Sequence, residues 1–178
     1  MTSKLLAIAA FVLNVVLVVS LYKSKTDLSK CGDAELEAGT RVSTLIGADL
    51  AGHPLSVTYP SNMRTVLYVF SPSCGWCERN QPSVQSLARF LRGRARFLGV
   101  SLDREGLFDW TLIQKPEFDI ITDLSYRALL TYQFKSTPMT AVITPSGTVE
   151  KVWHGAYVGK TLSEIEQYFG VSLPPPSS

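Results

Sequence analysis

The longest apolar stretch lies at the start of the chain. Residues 5–21 (LLAIAAFVLNVVLVVSL) contain no charged side chain and only two polar ones, Asn14 and Ser20. A helix needs roughly 17 or more such residues to cross a bilayer, so the pattern predicts a transmembrane signal anchor over 5–21, preceded by a short segment at 1–4. A cleaved signal peptide is the alternative, but no small-residue cleavage site ends the stretch.

The rest of the chain divides by polarity into three parts. Residues 22–39 are polar and charged, which predicts a tether. Short apolar runs and amphipathic stretches alternate over 40–172, which predicts one folded domain. The segment 173–178 has three consecutive prolines and is expected to be a disordered tail.

Within the domain, runs of apolar residues predict strands and helical spacing predicts helices. We predict a hairpin within 45–57, strands at 65–70, 95–102, 118–121, 140–144 and 148–153, and helices at 75–91, 105–114, 125–132 and 161–169. The helix at 105–114 is expected to bury four apolar residues, Leu107, Phe108, Leu112 and Ile113. This order predicts an α/β fold, a three-layer sandwich with a mixed central sheet flanked by helices.

Charge and composition remove two classes of function. The formal net charge is only +2, which lacks the basic excess typical of a nucleic-acid binder. The chain has three cysteines, and neither a second cysteine pair nor a histidine pair completes a four-ligand zinc set. We therefore expect no nucleic acid, no metal and no cofactor.

Two of the cysteines form the tetrapeptide Cys-Gly-Trp-Cys directly after a predicted strand, where a helix should begin. A helix start stabilises a thiolate, which is the nucleophile in disulfide exchange. We predict that Cys74 attacks a substrate disulfide and that Cys77, one turn later and less exposed, resolves the mixed disulfide. Gly75 is expected to be structural, and Trp76 is a candidate substrate-binding residue. The third cysteine, Cys31, lies in the tether and is expected to be passive.

A second element of the site is Thr137-Pro138, just before the predicted strand 140–144. Proline is the one residue before which a cis peptide bond is cheap. If this bond is cis, the Thr137 backbone would be presented beside Cys74 for pairing with an extended substrate. Thr137 and Pro138 are therefore candidate substrate-binding residues.

The motifs YVFSPSCGWCERNQP and STPMTAVITPSGTVEKVWHGAY together resemble the thioredoxin-like superfamily, and more narrowly the membrane-anchored TlpA and ResA type with redoxin domains. The resemblance covers nearly all of 40–172. It implies that Cys74 and Cys77 are the attacking and resolving cysteines, that Pro82 kinks the helix, and that Pro138 is the cis-proline.

The chain departs from that pattern at the positions of two carboxylates. Thioredoxin has a buried Asp where this chain has Tyr68, and ResA-type proteins have a Glu where it has Asn80. Trp76 also replaces the proline that is common before the second cysteine. These residues tune thiol pKa and reduction potential, so the direction of exchange stays open.

The resemblance implies an enzyme, a thiol–disulfide oxidoreductase for extracytoplasmic proteins, more a reductase than an oxidant, with cytochrome c maturation as one possible role. Its partners would be protein thiols or disulfides and an upstream membrane electron donor. Two alternatives are a peroxiredoxin-like peroxidase, disfavoured because Ser71 stands where such sites have Thr, and a non-catalytic binding module.

The expected location is the cell membrane, crossed once, with the domain on the periplasmic side. The positive-inside rule favours the opposite orientation, since Lys4 precedes the anchor while Lys23, Lys25 and Lys30 follow it. An N-terminal anchor followed by a redox domain usually exports that domain, and the two arguments leave the orientation open.

Overall fold

The computed structural model describes residues 14, 15, 20, 35–59 and 61–177. The chain divides into two compact units, 1–34 and Glu35–Ser178. Most of the predicted anchor and the whole segment around Cys31 lie outside the described residues. Within the described part, no helix is long and apolar enough to cross a membrane. The anchor therefore stays a prediction.

The second unit alternates strands and helices. The strands are β1 (Leu45–Ala48), β2 (Pro54–Val57), β3 (Thr65–Phe70), β4 (Arg96–Ser101), β5 (Asp119–Ile121), β6 (Met139–Ile143) and β7 (Val149–His154). The helices are α1 (Gly75–Arg79), α2 (Gln81–Leu91), α3 (Leu107–Gln114), α4 (Tyr126–Tyr132) and α5 (Gly159–Phe169). The strands and helices follow one another in the predicted order, except that the helix predicted over 75–91 is divided into α1 and α2.

The central sheet has five strands in the order β5-β4-β3-β6-β7. Strand β3 pairs in parallel with β4 and antiparallel with β6, so the predicted mixed sheet is confirmed. Every residue of β3 is buried, as expected of its continuous apolar sequence TVLYVF. The hairpin β1–β2 joins the edge of this sheet through a pair of backbone hydrogen bonds between Ala48 and Thr122, of 2.7 and 2.9 Å.

Two apolar clusters cover the two faces of the sheet because successive side chains of a strand point to opposite faces. One contains Leu67 and Val69 of β3 with Ala128 and Tyr132 of α4. The other contains Val66, Tyr68 and Phe70 of the same strand with Cys77, Val84, Leu87, Leu107, Trp110 and Ile165 from the helices. Cys77 is therefore part of the core on this face.

The helix predicted over 75–91 is two helices that meet at Asn80. Pro82 has no N–H to donate to the carbonyl of Glu78, so the first helix cannot continue through it. Proline is favoured in the first turn of a helix, where that N–H has no partner anyway, and Pro82 occupies this place in α2.

The prediction of the buried face of α3 is confirmed for Leu107 and wrong for the other three residues. Leu107 and Trp110 are buried, whereas Phe108, Leu112 and Ile113 are 73%, 58% and 73% exposed. The helix sequence LFDWTLIQ is apolar on nearly every side, so its pattern does not select a face. Trp110 faces inward, where its ring stacks on Phe70 with centroids 4.5 Å apart.

Both ends of the domain extend further than predicted. Leu36, assigned to the tether, is buried in the core, and the backbone of Gly39 bonds to Val149. The proline tail is described as far as residue 177. It runs without helix or strand along the domain, where Leu173 is buried and the Ser177 N–H donates to the Arg79 carbonyl at 2.9 Å.

Candidate active site

Cys74 and Cys77 form a disulfide at the start of α1. Cys74 is the N-cap residue of this helix, and the Cys77 N–H donates to its Sγ at 3.1 Å. Cys74 is half-buried, whereas Cys77 is fully buried. The difference in access suits an outer cysteine that meets a partner and an inner one that does not.

The turn that delivers Cys74 is held by hydroxyl groups. The Ser71 hydroxyl donates to the Asp103 carboxylate at 2.7 Å and lies 2.9 Å from the Ser73 hydroxyl. The Cys74 N–H donates to the Ser71 carbonyl at 3.1 Å, which closes the turn. These bonds link the end of β3 to the loop after β4 and fix where α1 begins.

The Thr137–Pro138 peptide bond is cis. Pro138 directly precedes β6, and Met139 of that strand is in register with Val69 near the end of β3. Because β3 and β6 are antiparallel, the start of β6 lies at the same end of the sheet as the Cys74 turn. The topology therefore brings the cis-proline loop and the disulfide to one edge of the domain.

Behind the disulfide lies a buried group of uncharged polar and aromatic side chains. Asn80 is fully buried, and its Oδ1 accepts the Tyr157 N–H at 2.9 Å. The Tyr157 hydroxyl lies 2.7 Å from that of Thr140. The Tyr68 hydroxyl is 3.5 Å from the Cys77 carbonyl, at the outer limit of a hydrogen bond. Tyr68, Asn80, Thr140 and Tyr157 are called the neutral layer below.

Burial keeps the phenols of this layer protonated. It raises the pKa of Tyr68 well above the ordinary tyrosine value, an effect that neighbouring Tyr157 adds to and Asn80 partly offsets. It raises the pKa of Tyr157 as well, against a smaller opposing effect of the bond to Thr140. No member of the layer is a carboxylate, so it holds no group that accepts a proton near neutral pH.

The outer side of the disulfide is open and aromatic. Trp76 is 50% exposed, and the Arg79 guanidinium lies 5.1 Å from its ring centroid. Gly75 is exposed, and no atom lies within 4 Å of where a Cβ would stand. A side chain at this position would meet no obstacle, so the space over the Cys74 turn is free for a partner.

The sequence itself matches no protein-family model and no curated protein. Many solved structures match the fold. The thioredoxin domain of a thiol-disulfide oxidoreductase from Bacteroides vulgatus has a TM-score of 0.61 at 18% identity, covering 76% of this chain and 99% of that one. The chain has a thioredoxin-like fold.

Two further structures show how broadly this thioredoxin-like fold is shared. A thiol:disulfide interchange protein of the thioredoxin family from Chlorobium tepidum matches with a TM-score of 0.58 at 16% identity, over 76% of this chain and 98% of its own. A peroxiredoxin-like protein from Aquifex aeolicus matches with 0.61 at 15%, over 77% and 88%. The fold therefore leaves the chemistry to be argued from the residues.

The thioredoxin-like fold assembles most of the predicted site at one edge: Cys74, Gly75, Trp76 and Cys77 on one side and Thr137 and Pro138 on the other. Pro82 lies in the next helix, away from the sulfur atoms. Sequence reasoning did not find the bond from Tyr157 to Asn80, which joins residues far apart in the chain. The residues between Cys77 and Val84 are polar apart from Pro82, so their pattern could not single out Asn80 as a buried one.

Proposed function

We propose that this protein is a thiol–disulfide oxidoreductase that exchanges disulfides with protein substrates through Cys74 and Cys77. The observation that carries the proposal is the disulfide itself, placed at a helix start with one half-buried and one buried sulfur. The cis-proline loop lies at the same end of the sheet, and an extended substrate could pair with its backbone there.

The reaction in the reducing direction begins with the dithiol form. The Cys74 thiolate attacks one sulfur of a substrate disulfide, the substrate S–S bond breaks, and the released substrate thiolate takes up a proton. Cys77 then loses its proton and attacks the Cys74 sulfur, which breaks the mixed disulfide. The products are a substrate dithiol and the Cys74–Cys77 disulfide, so two electrons have passed to the substrate.

The N–H of Cys77 contributes to the first step because it points at the Cys74 sulfur. A hydrogen bond to a thiolate stabilises it relative to the thiol and so favours the nucleophilic form. In the second step the neutral layer offers Cys77 no carboxylate as a base. Its proton must therefore leave to water or to the departing substrate.

We further propose that the chain is anchored through 5–21, with the domain on the extracytoplasmic side and reduced there by a membrane-bound dithiol donor. The apolar run supports an anchor, and a disulfide persists more readily outside the reducing cytoplasm. Labelling of Cys74 by a thiol reagent that cannot cross membranes, in intact cells first reduced with dithiothreitol, tests this; labelling only after lysis contradicts it.

The first test of the function is the reduction potential of the Cys74–Cys77 pair in the full chain, equilibrated with dithiothreitol or glutathione buffers. We expect a reversible two-electron couple near about −270 mV, the value typical of a reducing thioredoxin. A value near about −120 mV would make the protein a disulfide-forming oxidant. Absence of any reversible couple would leave only a binding module.

A peroxidase is tested separately by hydrogen peroxide consumption with dithiothreitol as reductant. Ser71, at the position where peroxidatic sites have threonine, is 7% exposed and already bonded to Asp103 and Ser73. We therefore expect no consumption above the rate of a Cys74→Ser variant.

A further inference from the structure

A cavity of about 560 Å³ opens beside the redox pair. One wall comes from Pro72 and Ser73 in the turn that precedes Cys74, and the other from the loop after β4 and helix α3. Ser73 directly precedes Cys74 in the chain, so the cavity opens next to the residue that attacks in the proposed reaction. We call it the acidic cleft.

Four of the residues that line this cleft are acidic: Glu78, Asp103, Glu105 and Asp109. None of the described residues in its walls is cationic. The nearby arginines are engaged elsewhere, Arg104 with Asp123 and Arg79 with the ring of Trp76. A concave surface lined by one sign of charge attracts ligands of the opposite sign.

A second observation is independent of this charge. Trp110 lies in the wall of the cleft and is only 6% exposed, yet its indole N–H has no acceptor among the described residues. Its ring is held by stacking on Phe70. Buried donors are paired in the great majority of cases, so an unpaired one in a cavity wall is a candidate donor to a ligand, which it would reach after a small shift of the ring toward the cleft.

The carboxylates and the indole N–H would bind different chemical groups of a ligand. The carboxylates favour a cation, whereas the indole N–H requires an acceptor, and anionic acceptors are disfavoured by the carboxylates. A polypeptide with lysine or arginine side chains satisfies both, since its backbone carbonyls are neutral acceptors. Exposed Ile113 in the same wall offers an apolar contact for such a chain.

We propose that the acidic cleft docks a cationic, extended segment of the protein whose disulfide Cys74 attacks. Lysine or arginine side chains of that segment pair with Glu105 and Asp109, and one of its carbonyls accepts from Trp110. This inference rests on the proposed function and specifies its substrate class: disulfides flanked by basic residues.

The kinetic test uses the reduced full chain in a non-ionic detergent and two synthetic peptides, each with one internal disulfide. One peptide has lysines beside its cysteines and the other has glutamates. Each rate constant is divided by that for reduction of the same peptide by dithiothreitol, which removes the intrinsic effect of the charges. We expect the corrected ratio to favour the lysine peptide by about tenfold or more at low salt and to approach one at high salt.

Variants assign this preference to the cleft. In the double variant Glu105→Gln, Asp109→Asn the corrected ratio should fall several-fold. The matched control Glu37→Gln removes an exposed carboxylate that does not line the cleft, and it should keep the wild-type ratio. Equal corrected rates for the two peptides in the wild-type chain, or a ratio that the double variant leaves unchanged, overturn the proposal.

Docking is measured without chemistry by NMR of the three tryptophan indole groups, assigned by single Trp→Phe variants. A cysteine-free lysine peptide should move the Trp110 N–H resonance downfield, whereas the glutamate peptide should not. No movement with either peptide counts against docking.

Uncharged hydroxyethyl disulfide separates this proposal from the proposed function. If the chain reduces it but does not discriminate between the peptides, the docking proposal alone fails. If the chain fails to reduce it and both peptides, the proposed function fails.

Discussion

The two sides of the Cys74–Cys77 disulfide differ in charge. The outer side has a half-exposed tryptophan and a cleft with four carboxylates, and it is open to solvent. The inner side is the neutral layer, in which Tyr68, Asn80, Thr140 and Tyr157 are all fully buried. The carboxylates near the disulfide thus lie on its solvent-facing side, whereas the buried side is uncharged.

This division separates two tasks. In the proposed reaction, charges on the outer side select partners, whereas solvent screens those charges from the sulfur atoms. A charge on the inner side would act strongly on Cys77, because a buried ionisable group is poorly screened. Uncharged groups there leave the inner thiol with little electrostatic help, so the identity of the partner is expected to control exchange more than proton transfer inside the protein.

The largest effect is expected from the sulfur atoms themselves. Cys77→Ser should convert a turnover catalyst into a trap, because the mixed disulfide on Cys74 can no longer be resolved internally. Mass spectrometry of the variant with a peptide disulfide should show one covalent adduct per chain. Both variants are made together with Cys31→Ser, so that only the pair can react. Cys74→Ser should then form no adduct, since Cys77 is buried; an adduct on Cys77 in that variant would contradict the assigned roles.

Asn80→Asp should break the neutrality of the inner side. The carboxylate keeps the acceptor for Tyr157, but ionising it in a buried site should cost about 3 kcal/mol at pH 7. Burial raises the pKa of this carboxyl in the folded protein above about 3.9, its value in the unfolded chain. Stability is then retained below that pH and lost as the pH rises through the folded-state pKa.

Urea unfolding of the Asn80→Asp variant and of the wild-type chain from pH 4 to pH 8 measures this. The difference between them should grow with pH. If the difference in the free energy of unfolding did not change with pH, the new carboxylate would be in contact with water, and the inner side would not exclude solvent.

The buried tyrosines of the inner side provide a second test, at alkaline pH, of whether water reaches it. The pKa of Tyr157 is raised by burial, so above about pH 10 the unfolded chain loses a proton that the folded chain keeps. Stability is complete below that pH and should then fall by up to about 1.4 kcal/mol per pH unit for each such tyrosine. Tyr157→Phe should reduce this slope.

The control is Tyr126→Phe, which removes the hydroxyl of a tyrosine that is 77% exposed. The slope of its stability against pH should equal that of the wild-type chain.

At neutral pH, Tyr157→Phe should lower the free energy of unfolding by about 1 kcal/mol, because the hydrogen bond to Thr140 is lost. Equal alkaline slopes for both variants would show that Tyr157 ionises without unfolding.

The smallest effect on stability is expected on the outer side. Trp76→Ala should change the free energy of unfolding by about 0.5 kcal/mol or less, because the ring is half-exposed. Its rate of exchange with peptide disulfides should nevertheless fall, and Trp76→Phe should restore part of it. A large loss of stability with normal exchange would show that the residue is structural only.

Local sequence determined the elements and the redox pair. The sequence predicts that β3 is buried, because its six successive residues are apolar, aromatic or β-branched. The Cys-x-x-Cys spacing places the two cysteines within one helical turn, where they form a disulfide. Pro82 ends one helix and begins the next through its missing N–H. These features depend on neighbours in the chain, so the sequence alone carries them.

The tertiary structure decided which faces meet. Helix α3 is apolar on most sides, and only packing of Trp110 against Phe70 settled which residues it buries. The tail packs along the domain because Leu173 reaches a core formed by distant residues. The bond from Tyr157 to Asn80 and the walls of the acidic cleft likewise join segments far apart in sequence. Such contacts depend on the path of the whole chain, which no local pattern specifies.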